Sequence, residues 1–155
     1  MKLKITKLQV VIEIITFLFL IAMFVYLRQS WSGVPDRVPG HYDAAGQINR
    51  WGNKSELLTV PIISAILYIL LTAVTFFPAI WNVPATVTEE NRTIVYEYIR
   101  NMMCVMKLEM VLGFTYISYK SIKLQALSSY FFFVFLVVIF GTMAYYLRKT
   151  LKVAK

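Results

Sequence analysis

A chain of 155 residues is the size of one soluble domain, but 59% of its residues are hydrophobic and 15% charged. A soluble domain of that length cannot bury so much apolar side chain and still present a wetted surface, so lipid is the expected solvent. The formal net charge of +8 does not point to nucleic acid, because Lys and Arg cluster at the ends of apolar runs, where they anchor membrane helices.

The first apolar run extends from about Leu8 to Leu27, close to the ~20 residues that span hydrocarbon. Lys2, Lys4 and Lys7 flank its start. The run is longer than the apolar part of a signal peptide and no small-x-small cleavage site follows, so a retained first membrane helix is expected. Glu13 interrupts it.

From Arg28 to Glu56 the chain turns polar and carries most of its glycines. Pro35 and Pro39 bias the residues before them to extended or turn geometry, and glycines such as Gly46 and Gly52 supply unusual backbone angles cheaply. A disordered linker rarely also carries Trp31, Val34, Val38, Tyr42, Ile48 and Trp51. An ordered, compact loop over residues 34–54 is expected, packed by its own side chains.

Helix two is expected from about Leu57 to Ile80, with Pro61 in its first turn and Pro78 and Pro84 bracketing its end. Thr86 followed by Glu89 resembles a capping box, which starts helix three near Val87 and carries it to about Ser121. At ~1.5 Å per residue that is longer than a bilayer core, so its first third is expected to project as a charged stalk. Helix four is expected from about Leu127 to Leu147, followed by Arg148, Lys149, Lys152 and Lys155.

These elements define an all-α fold: an integral membrane four-helix bundle, one membrane domain over residues 1–155, with an ordered extracytoplasmic loop between helices one and two. The basic clusters at both termini orient it with those termini in the cytoplasm and the 34–54 loop outside. Lone Cys104 excludes an intrachain disulfide.

Two constellations carry possible chemistry. In the loop, His41, Asp43, Asp36, Arg50 and Lys54 are candidate ligand-binding residues, since basic and aromatic groups serve as binding anchors. His41 with Asp43 or Asp36 also suits a divalent metal, although a full ligand set is missing. A self-satisfied cap, with the acids in turns and the basic groups paired internally, explains the same residues. Pro35, Arg37, Pro39, Gly46, Trp51 and Gly52 are expected to be structural, with Trp51 packing on Val34 or Val38. The second constellation is Glu13, Lys107 and Glu109 inside helices. Glu13 and Lys107 fall at similar depth and can neutralise each other, whereas Glu109, two positions on, faces elsewhere. A proton or substrate path is the functional alternative to that ion pair. No zinc-protease, nucleophile-elbow or phosphate-loop motif is present, and no cofactor is implied.

The run Pro35-Asp36-Arg37-Val38-Pro39, then His41-Tyr42-Asp43, then Gly46, Asn49, Trp51-Gly52 and Lys54 resembles the motif of the domain of unknown function 1648. This is a bacterial membrane module that also stands at the front of immunity proteins against the sporulation-delay toxin. The resemblance covers about a third of the chain, namely the loop and the starts of its flanking helices. It implies a bacterial cytoplasmic-membrane protein and, as roles, toxin immunity or envelope signalling. The expected function is therefore a small, non-enzymatic membrane protein whose outer loop recognises a ligand, with the bilayer and a peptide or membrane-protein partner as contacts and an oligomer left open. A transporter or channel component using Glu13, Lys107 and Glu109, or a membrane enzyme using His41 and Asp43, are the alternatives.

Overall fold

Four helices run back and forth with a β-hairpin between the first two. The computed structural model describes residues 4–154; Lys2 and Lys155, which belong to the basic clusters, lie outside them. Helix α1 covers Lys7–Ser30, strand β1 Arg37–Tyr42, strand β2 Ile48–Asn53, helix α2 Thr59–Thr75, helix α3 Arg92–Ile122 and helix α4 Phe131–Val153. Short 3-10 turns at Trp31–Gly33, Lys54–Leu58 and Pro78–Ile80 join them. Helix α1 opens on a capping box: Thr6 Oγ1 accepts from the Gln9 amide at 3.2 Å, and Gln9 Oε1 accepts from the Thr6 amide at 3.1 Å.

Three segments are long and apolar enough to cross a membrane: Lys7–Gly33, Lys54–Thr75 and Phe131–Val153. Helix α3 is not among them, because it carries Arg100, Asn101, Lys107 and Glu109. It instead packs against α1, α2 and α4, while α1 and α2 share only a short contact. The most polar helix is thus the central one. Its buried residues mix Val95, Ile99 and Val111 with Arg100, Asn101, Lys107 and Ser118. The outer helices turn Leu18, Ile21, Ile66, Ile69, Phe133 and Val137 outward. Apolar outside and polar at the centre inverts the soluble pattern and suits a lipid solvent.

Two apolar clusters hold the bundle. Leu20, Met23 and Val111 form one within the helices, with Tyr68 and Met110 against it. The other joins hairpin to bundle: Leu27, Val34, Val38, Leu57 and Ile122, flanked by Trp31 and Leu124. Val38, on β1, is completely buried there, worth roughly 1.5–3 kcal/mol at this wetted end of the molecule.

Several expectations need correction. The fold is mostly helical but not all-α, because the 34–54 loop holds a two-stranded antiparallel sheet. Helix α2 ends at Thr75 rather than Ile80, since Pro78 drives Phe77 out of helical geometry (φ −116°, ψ 69°). Trp81 then turns back to donate its indole N–H to the Val74 carbonyl at 2.8 Å. Helix α3 starts at Arg92, not Val87, because the reciprocal turn forms two residues later: Thr88 Oγ1 accepts from the Asn91 amide, and Asn91 Oδ1 accepts from the Thr88 amide. Its first third is no exposed stalk. Val95, Ile99, Arg100 and Asn101 are buried there, with Asn101 Oδ1 accepting from Gln9 Nε2 at 2.7 Å. Helix α4 runs past Leu147 to Val153, so Arg148, Lys149 and Lys152 ride on its last turns.

Candidate functional site: surface hairpin and buried ion pair

The hairpin is organised by its turn. Asp43 Oδ1 accepts from the amides of Ala45 and Gln47, both at 2.9 Å, and the Asp43 amide donates to the Gln47 carbonyl. Gly46 has φ +75°, which only glycine adopts freely. Its carbonyl accepts from the Leu127 amide at 2.8 Å, and a Cβ there would come 2.9 Å from the Ser128 carbonyl oxygen. The turn is thereby docked on the α3–α4 connection. Tyr42 adds a second tether, its hydroxyl lying 3.1 Å from both Ser121 Oγ and the Gln125 carbonyl. Burial pushes that phenol above its ordinary range, so it stays protonated and able to donate.

Strand pairing sets Arg37 opposite Asn53, Val38 opposite Gly52, Pro39 opposite Trp51 and Tyr42 opposite Ile48, with irregularities around His41. Pro39 is tolerated because a two-stranded sheet leaves every strand an edge. Beside Gly40 and Gly52 lies an ion pair: Arg50 Nη2 to Glu56 Oε2 at 2.8 Å. The same nitrogen donates to the Gly40 carbonyl at 2.7 Å, and Glu56 Oε1 accepts from the Asn53 amide at 3.2 Å. A Cβ on either glycine would collide with this pair. Hydrogen bonding to the Glu56 carboxylate raises the Arg50 guanidinium above its ordinary range.

The expected division of the loop residues changes accordingly. Of the candidate ligand-binding residues, Asp43 is a turn staple and Arg50 an internal partner. Lys54 is tied as well, donating to the Val34 carbonyl at 2.7 Å with its ammonium 5.2 Å from the Trp31 ring centre. Asp36 is exposed, its backbone carbonyl receiving the Lys54 amide. Conversely, Arg37 is exposed and joins none of the ion pairs among the described residues. Trp51 is 44% exposed, and the indole packed beside Val34 and Val38 is that of Trp31. Pro39, Gly46 and Gly52 do sit inside the folded hairpin, while Pro35 is at the surface. His41 is exposed and its Nδ1 lies 2.7 Å from Asn49 Oδ1; an amide oxygen only accepts, so Nδ1 donates. No group of three His, Cys, Asp or Glu side chains stands close enough to hold a metal among the described residues.

Glu56 is a further residue of this site, and its place three residues after Asn53 is the capping spacing that marks it in the sequence. Asn49 was visible only as a motif residue.

Within the helices, Lys107 is completely buried and its ammonium makes three bonds: 2.6 and 2.8 Å to the Glu13 oxygens and 2.7 Å to Thr72 Oγ1. That satisfies all three of its donors. Tyr68 donates to Glu13 Oε1 at 2.8 Å, and its ring centre lies 4.9 Å from the ammonium. Glu13 also borders a cavity of about 200 Å³ shared with Gln9, Thr72, Arg100 and Cys104. Glu109 belongs to neither group. It faces α4, where Thr142 Oγ1 donates to its Oε1.

Fold and sites together define a helical bundle with membrane-spanning character, carrying a rigid hairpin at one end and a buried ion pair within. Residues 18–65, from the middle of α1 through the hairpin into α2, match the family model described as Domain of unknown function (DUF1648). The resemblance carried by the motif residues holds over this segment, whose description assigns no activity. No curated protein and no solved structure matches the chain.

Proposed function

We propose that the chain is a non-enzymatic protein of a bacterial cytoplasmic membrane whose hairpin recognises a peptide or membrane-protein segment at the outer surface. One observation carries this reading: the hairpin ties Asp43, Arg50, Lys54 and Tyr42 into its own scaffold yet leaves Trp51, Arg37 and His41 outward. An exposed indole, guanidinium and imidazole on one hairpin whose turn and strands are held by their own hydrogen bonds make a preorganised binding face. Basic groups Lys4 and Lys7 at the start of α1 and Arg148, Lys149 and Lys152 at the end of α4 support cytoplasmic termini. Toxin immunity or envelope signalling are the roles such a face would serve. The test is co-purification in mild detergent with mass spectrometry of bound peptide and protein. Wild type should retain a species that Trp51→Ala and His41→Ala lose; identical retention by all three would sink the reading.

A transport component is the second reading, favoured by the cavity that reaches the Glu13 carboxylate. It predicts that Glu13→Gln abolishes a solute flux in vesicles while a hairpin variant such as Trp51→Ala leaves it intact. Equal flux in Glu13→Gln and wild type would remove it.

A further inference from the structure

Glu13 and Glu109, each bonded to a side chain of a neighbouring helix, are held in opposite ways. Glu13 receives a lysine, a phenol and a threonine hydroxyl. Glu109 receives one threonine hydroxyl, from Thr142, and its Oε2 is buried with no hydrogen-bond partner among the described residues. Thr142 is the middle residue of the 23-residue α4, so Glu109 lies midway along an apolar span.

Among the described residues, no ion pair includes it. On its own helix, Lys107 is committed to Glu13 and Thr72. From α4, its hydrogen-bond partner is the neutral Thr142 hydroxyl. Lys149 of α4 is two turns away and sits 4.8 Å and 5.5 Å from the ring centres of Tyr145 and Tyr98. An anion with one neutral donor and a bare second oxygen, midway through lipid, takes up a proton instead of staying charged.

We propose that Glu109 is a reversible proton-binding site, a neutral carboxylic acid in the resting protein, whereas Glu13 is the ion-pair partner of Lys107. With the proton on Oε1 the bond to Thr142 reverses, the acid donating to Oγ1, and the bare Oε2 becomes a neutral carbonyl oxygen, which costs far less to bury than a charged one. This site is independent of the hairpin and of the ligand proposed for it.

Infrared difference spectroscopy of the full chain in lipid vesicles tests this, comparing wild type with Glu109→Gln and Glu13→Gln at neutral pH. A protonated-carboxyl carbonyl band should be present in wild type, absent in Glu109→Gln and retained in Glu13→Gln. Dicyclohexylcarbodiimide gives a second measurement that needs no variant. A protonated carboxyl transfers its proton to a carbodiimide nitrogen while its oxygen adds to the central carbon. The acyl group then shifts from oxygen to nitrogen, leaving a stable adduct with nothing expelled. Mass mapping of the wild type should find that adduct on Glu109 and not on Glu13, diminishing as the medium is made alkaline. If Glu109→Gln fails to fold, the adduct map decides. Carboxylate bands at Glu109 in place of the carbonyl band, or an adduct on Glu13 and none on Glu109, would overturn the proposal.

Discussion

Lys107 Nζ lies 2.6 Å from Glu13 Oε2 across the α1–α3 interface, although 94 positions separate them in the chain. Lys107 is fully buried while the Glu13 side chain, 31% exposed, borders the cavity lined by α1, α2 and α3. The lysine therefore depends on the glutamate more than the reverse. Glu13→Leu should cost about 3–5 kcal/mol, the usual penalty for stranding a buried charge. Lys107→Met should cost less, because a partly exposed carboxylate can take up a proton, and the double change should recover most of the Glu13→Leu loss. A double-mutant cycle on thermal stability in detergent measures this. Strictly additive losses would mean the pair contributes no coupling.

Gly52 leaves room for the Glu56 carboxylate, which caps the Asn53 amide and holds Arg50. A methyl group there displaces Glu56, so Gly52→Ala should lower stability by about 1 kcal/mol, as losing a helix cap does. In a Glu56→Ala background the methyl has nothing to displace. The second substitution should then change the melting temperature hardly at all, and two full, additive losses would contradict this account of the glycine.

Orientation has its own test. Gln47 in the hairpin turn and Glu90 in the α2–α3 connection are both exposed, and the proposed topology sets them on opposite sides of the membrane. In a chain whose Cys104 is replaced by Ser, Gln47→Cys should react with a membrane-impermeant maleimide in intact cells, and Glu90→Cys only after permeabilisation. The reverse pattern would move the hairpin to the cytoplasm.

How far the sequence could be read depended on which physical signal was local. Apolar length marked α1, α2 and α4, and the similar depths of Glu13 and Lys107 in two helices that run in the same direction were enough to bring the two together. The hairpin is masked in the sequence because Pro39, Gly40, Gly46 and Gly52 read as loop, although Arg37–Tyr42 and Ile48–Asn53 flank a glycine-bearing turn in the hairpin pattern. The role of each tryptophan was not local at all. Cross-strand register turns Gly52 inward opposite Val38, so its neighbour Trp51 turns outward, and a slip of one residue would exchange them. The centrality of α3 was hidden for a similar reason. Charge in its sequence suggests water, and only the packing of three apolar helices around it makes those charges internal.

The same register argument yields the sharpest test of the hairpin. Sequence reasoning assigns Trp51 and Arg37 to structure and His41 and Asp43 to function; the geometry divides them differently. Asp43 supplies one oxygen to two turn amides, so Asp43→Ala should cost about 1–2 kcal/mol, comparable to losing an N-cap acceptor. Asp43→Asn, which keeps an amide oxygen in reach, should recover much of that. Trp51, Arg37 and His41 face outward, and their alanine variants should change stability by no more than about 0.5 kcal/mol, as exposed substitutions do. Should the hairpin be a recognition surface, those three variants lose ligand while Asp43→Asn keeps it. Melting curves in detergent, paired with retention of the co-purified species, separate the two effects. If Trp51→Ala melts as early as Asp43→Ala, the indole is part of the scaffold and the outward face is not the site.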